Sequence, residues 1–141
     1  MKVYVFGNPL LKSDSLPLKI LPRLKKTWPL IDFQITDPNE NFPPQKEKNL
    51  IILDTVFGIK KPTIFDLDDF SFLSYRKKRL ISPHDYDLLT HLLLLKKLKR
   101  IEKAIIIGIP PVKENKLDFN LVSTLLLKSG QRKTYRDQKP G

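Results

Sequence analysis

No cysteine occurs among the 141 residues. Disulfides, thiolate metal ligands, iron–sulfur clusters and a cysteine nucleophile are thereby excluded. A metal ion can be held only by nitrogen and oxygen, and there are two histidines to supply imidazole. Long apolar runs are missing as well. None approaches the roughly 18 residues that a membrane span needs, and "VYVFG" near the start is too short for the apolar core of a secretory leader. A soluble, intracellular, cytoplasmic protein without membrane insertion is predicted. The phosphate loop G-x-x-x-x-G-K-[ST], the nucleophile elbow G-x-S-x-G, and zinc-finger and RNA-recognition signatures are all absent. No internal repeat is present.

What remains is an ordinary globular composition. Hydrophobic residues make up 40% and charged residues 29%, which argues against wholesale disorder, and the length suits one domain. The 26 Lys and Arg outweigh 15 Asp and Glu, for a net charge of +11, so contact with an acidic partner is chemically reasonable. Nothing in the sequence sets an oligomeric state.

Three short β-rich runs, "KVYVF", "NLIILDTV" and "KAIIIGI", are continuously apolar, as strands covered on both faces are. "WPLIDFQIT" reads as a fourth strand and "PTIFDLDDF" as a possible edge strand. Residues 15–26 place Ile20, Leu21 and Leu24 on one helical face, and 85–100 place Leu88, Leu92 and Leu95 together. Pro17 suits a first helical turn, whereas Pro22 is expected to kink or shorten its helix. A last short helix fits "DFNLVSTLLLK". The order predicts a three-layer α/β/α sandwich around a mostly parallel sheet. Residues 1–128 form the predicted domain, and 129–141, a basic tail without an apolar anchor, are expected to be disordered.

In such a sheet, sites lie beyond the carboxyl ends of the strands. Asp14 follows the first strand by a turn, Asp54 closes "LIILD", and His84 stands in "LISPHDYDLL" where the long leucine-rich helix begins. Two carboxylates and an imidazole suit a first-row divalent ion with an open position for water or substrate. Each residue also has a structural reading: Asp14 as a helix cap, Asp54 as a turn former, His84 as a solvated helix-start residue.

These residues resemble, in order, the hydrogenase maturation endopeptidases, which trim the C-terminal extension of the large subunit of nickel–iron hydrogenases. The family's "GN..L..D" strand-turn appears as Gly7-Asn8-Pro9-Leu10-Leu11-Lys12-Ser13-Asp14. Its strand-closing acid appears at Asp54, its "SPH" as Ser82-Pro83-His84, and its later "GI.P" as Gly108-Ile109-Pro110-Pro111. The resemblance implies a metal-recognising, aspartic-type endopeptidase in which Asp14, Asp54 and His84 contact nickel and carry catalysis. The nickel would be supplied within the hydrogenase large-subunit precursor. Two places depart from the family pattern. Ser15-Leu16-Pro17 follows the first acid where glycine is usual, and Asp37-Pro38-Asn39-Glu40 stands in place of a glycine-rich loop.

Other polar features have simpler readings. His91 shares the helical face of His84 but lies about 10 Å along the axis, too far to share one ion. Asp85 and Asp87 favour a helix amino terminus, with Asp87 a conceivable alternative ligand. Asp66, Asp68 and Asp69 lack the glycine and distal glutamate of a calcium loop and read as a solvated turn. The runs Arg76-Lys77-Lys78-Arg79 and Lys96-Lys97-Leu98-Lys99-Arg100 support the alternative function, a non-catalytic module binding nucleic acid or an acidic protein. Nucleic acid is the weaker choice, because no aromatics interleave for base stacking.

Overall fold

A computed structural model describes residues 1–8, 10–11, 14–36, 42–70 and 83–137, with backbone alone at 70, 83–88 and 132–137. Five strands, β1 (Lys2–Val5), β2 (Asp32–Ile35), β3 (Asn49–Thr55), β4 (Thr63–Asp66) and β5 (Lys103–Ile109), form one sheet in the order β2-β1-β3-β5-β4. All neighbours are parallel except β4, which runs antiparallel along β5 at the edge. Among the described residues, three α-helices, α1 (Leu16–Thr27), α2 (Pro83–Lys97) and α3 (Phe119–Asp137), complete the α/β/α sandwich.

Strand alternation assigns the two faces. Val3, Val5, Ile51, Leu53, Ile107 and Ile109 pack against Leu16, Ile20, Leu21 and Leu24 of α1 and Phe119, Val122, Leu125 and Leu126 of α3. Tyr4, Phe6, Leu50, Ile52, Ala104 and Ile106 pack against Leu89 and Leu92 of α2, with Phe42, Leu67 and Ile101. Burial on both sides is why β1, β3 and β5 are apolar without a break.

Pro22 does not shorten α1, which continues to Thr27 and closes with the Trp28 amide donating to the Leu24 carbonyl. Proline in a helix interior costs about 3 kcal/mol, but Ile20, Leu21 and Leu24 are buried, and each such side chain contributes about 1.5–3 kcal/mol. Pro22 itself lies on the exposed face. At the carboxyl end, α3 carries helical backbone from Phe119 through Asp137. Small residues supply the anchor that apolar ones do not. Ser129 is fully buried, with its hydroxyl donating to the Leu126 carbonyl. Gly130 packs so closely on Met1 that a Cβ would fall 2.8 Å from its sulfur. Residues 138–141 lie outside the described residues. Among those described, no helix is long and apolar enough to cross a membrane.

Candidate functional site

The strand order reverses direction at β1. From β1 the chain passes through α1, on one face, to β2. From β3 it passes through β4 and α2, on the other face, to β5. The divergence opens a crevice beyond the carboxyl ends of β1 and β3, the place where open α/β sheets take their ligands. Asp14 belongs to the loop leaving β1, and Asp54 is the penultimate residue of β3. Both sequence-predicted acids therefore stand at the carboxyl ends of two adjacent strands.

The loop that delivers Asp14 is tied at both ends. The Asn8 amide donates to the Asp14 carbonyl (2.9 Å), the Leu11 amide to the Asn8 carbonyl (3.2 Å), and the Asp14 amide to the Leu11 carbonyl (3.0 Å). Asn8 also accepts the Leu10 amide on its side-chain Oδ1 at 3.0 Å. Gly7 is required here, because a Cβ would lie 3.0 Å from the Asp14 carbonyl and 3.1 Å from Leu18. Asp14 is 7% exposed, and it does not cap α1: Ser15 holds the N-cap position, without a side-chain cap bond. Pro9, Lys12 and Ser13 lie outside the described residues.

Asp54 is 5% exposed and accepts the Thr55 amide on Oδ1 at 2.8 Å. It stands within the strand, which rules out the turn-forming reading. By alternation it shares the α2 face with Leu50 and Ile52. Its register partner on β5 is Gly108, where a Cβ would collide with Val56 Cγ2 at 2.7 Å and Phe65 at 3.1 Å.

The carboxyl end of α2 lies beside the amino end of β5, where Lys96 pairs with Asp68 at 2.7 Å and Lys103 with Asp66 at 3.8 Å. A helix of 15 residues extends about 22 Å. Its first turn contains His84. The His84 side chain lies outside the described residues, as do the side chains of Asp85 and Asp87, residues 37–40, Ser82 and the basic run 76–79. Among the described residues no three His, Asp or Glu side chains are grouped as a metal ion requires.

The remaining polar residues are engaged in the fold. His91 Nε2 donates to the Phe42 carbonyl at 3.0 Å. Asp69 accepts the Asp66 amide at 2.9 Å, so "DLDDF" is a hydrogen-bonded 3-10 turn rather than a cation loop. Within the second basic run, Lys96 is paired with Asp68 and Arg100 donates to the Gln45 carbonyl at 2.7 Å. Two of its charges therefore serve the fold itself.

Sequence reasoning missed Thr55 and the packing duties of Gly7 and Gly108. Thr55 is fully buried, and its hydroxyl has no hydrogen-bond partner among the described residues. The available signal was a single hydroxyl inside "NLIILDTV", where threonine reads simply as another β-branched strand former.

No protein-family model and no curated protein sequence matches the chain. Solved structures do. An endopeptidase from Escherichia coli is similar over 78% of this chain and 74% of its own, with 19% identity and a TM-score of 0.51. The [NiFe] hydrogenase maturation protease HybD from Thermococcus kodakarensis is similar over 96% of this chain and 98% of its own, with 21% identity and a TM-score of 0.54. Over nearly its whole length, then, the chain shares the α/β fold of a hydrogenase maturation protease.

Proposed function

We propose that the chain is a divergent processing endopeptidase of the hydrogenase-maturation type, removing the C-terminal extension of a nickel–iron hydrogenase large-subunit precursor after nickel insertion. The observation that carries this reading is the burial of two carboxylates, Asp14 on the loop leaving β1 and Asp54 near the end of β3, beside the reversal of strand order. Burying carboxylates is costly, and two at one sheet end mark a site rather than packing. The similarity in fold to HybD supports the same reading.

Carboxylate oxygens and an imidazole nitrogen fit a borderline divalent ion such as nickel. In this reading Asp14, Asp54 and His84 grip the nickel that arrives with the precursor, which sets the register of the scissile peptide in the crevice. The bound ion supplies Lewis acidity toward that peptide's carbonyl. One of the two carboxylates takes a proton from a water molecule as the water oxygen bonds to the carbonyl carbon. The C–N bond then breaks, and the same proton passes to the leaving amine.

The test is incubation of the purified chain with nickel-loaded precursor, followed by intact mass. Asp14→Ala, Asp54→Ala and His84→Ala should each keep the folded circular-dichroism spectrum and reduce cleavage at least about 100-fold. Cleavage retained in all three variants refutes the assignment.

A further inference from the structure

Thr55 occupies a position where valine would serve the fold better. It is fully buried at the end of β3, between Asp54 and Val56 in sequence, and paired in register with Ile109. Its amide donates to Asp54, yet its hydroxyl has no hydrogen-bond partner among the described residues. A buried hydroxyl without a partner destabilises the protein relative to an apolar isostere.

The sheet shows what lies beside that hydroxyl. β1 pairs Val5 with Leu53, and the Phe6 amide donates to the Leu53 carbonyl. Continuing this register sets Gly7 beside Thr55. Alternation turns Thr55 toward the face of Ile51 and Leu53, the face that carries α1. On the same face the space above Gly7 is filled by the Asp14 carbonyl and Leu18, the atoms that a Cβ there would meet at 3.0 and 3.1 Å. Neighbouring strands lie about 4.8 Å apart, so the Thr55 hydroxyl lies within a side chain's reach of the Asp14 loop. Asp54 leaves the same strand end on the opposite face. Successive residues of β3 thus serve the two sides of the crevice.

We propose that Thr55 is a positioning residue of this site, its hydroxyl donating a hydrogen bond to Asp14 when substrate is engaged. The inference rests on the processing reading above. The hydroxyl's cost to the resting fold is offset in the engaged state, where it holds the Asp14 carboxylate at the crevice mouth. Outer-shell partners of metal-contacting groups act in this way, and their loss lowers activity about 10–100-fold.

Two isosteric changes test it, with precursor cleavage and thermal unfolding measured side by side. Thr55→Val keeps the volume and removes the hydroxyl: the melting temperature should rise by a few degrees while kcat falls about 10-fold. Thr55→Ser keeps the hydroxyl and removes a methyl: the melting temperature should fall while kcat returns to within about threefold of the starting protein. A melting temperature lowered by Thr55→Val would mean that the hydroxyl is already a structural donor, and this overturns the inference. Cleavage by Thr55→Val at the unaltered rate overturns it as well, leaving the processing reading intact. Absence of cleavage by the unaltered chain overturns the processing reading and the inference together.

Discussion

Gly108→Ala should destabilise the protein by about 1–2 kcal/mol, although the substitution places no strain on the backbone. The glycine lies within β5, and its added Cβ would stand 2.7 Å from Val56 Cγ2, 3.1 Å from Val56 Cβ and 3.1 Å from Phe65 Cε2. Carbon atoms prefer about 3.5–4.0 Å, so the closest contact is short by about 1 Å. Val56 is poorly able to retreat. It is 2% exposed, its amide is tied to the Ile109 carbonyl, and its β-branched side chain is stiff. Overpacking of this kind costs about 1–3 kcal/mol, from which about 0.4–1 kcal/mol is recovered through the less flexible unfolded chain. The net loss corresponds to a melting temperature lower by roughly 3–8 °C. The urea midpoint should fall in step with an unchanged slope. Removing the obstructing methyls with Val56→Ala should relieve the clash, so that the double variant is more stable than the two single losses added together predict, by at least about 0.5 kcal/mol. An unchanged or raised melting temperature in Gly108→Ala, or strict additivity in the double variant, would refute the packing argument.

Two further measurements probe regions away from the crevice. The Tyr4 phenol is pushed up from 10.0 to about 12 by burial and by the nearby Glu47 and Asp32 carboxylates. The unfolded chain therefore ionises first, and this contribution, complete below pH 10, is lost between about pH 10 and 12; two units correspond to about 2–3 kcal/mol. Tyr4→Phe should remove that alkaline loss in urea titrations, with little cost at neutral pH because the hydroxyl has no partner among the described residues. Lys99 lies two residues beyond α2 with a φ of 60°, its amide donating to the Lys96 carbonyl and the Arg100 amide to the Leu95 carbonyl. That is the left-handed closing turn that glycine favours. Lys99→Gly should raise stability by about 1 kcal/mol in thermal denaturation.

Much of this molecule can be read from its residues because the central strands are apolar on both sides. "KVYVF", "NLIILDTV" and "KAIIIGI" admit few other placements, and "PTIFD" is an edge strand that pairs, among the described residues, with β5 alone. The extent of α1 was not legible. Local propensity stops a helix at Pro22, and only the long-range burial of Ile20, Leu21 and Leu24 reverses that. The carboxyl end of α3 was hidden for the opposite reason, since Ser129 and Gly130 anchor by being small, and smallness leaves no periodic signal. Asp14 and Asp54 could be found because acids interrupting apolar strand ends stand out. The capping and turn readings could be dismissed only with Ser15 seen at the N-cap and Asp54 seen inside its strand. A lone hydroxyl at Thr55 is conspicuous only once its neighbours in space are known.

The position of β5 between β3 and β4 bears on how the chain can be made. A ribosome delivers β1, α1, β2 and β3 first, and these can pair among themselves. The far edge of β3 must then wait while the stretch 56–102 is synthesised, a matter of several seconds at about 5–20 residues per second. β4 emerges into that interval before its partner, because among the described residues its strand neighbour is β5, still to come. The flank of Asp54 is likewise unfinished until Gly108 arrives opposite it. A nascent chain halted before β5 therefore exposes an apolar strand edge and an incomplete site, which is expected to form only after nearly the whole domain has left the ribosome.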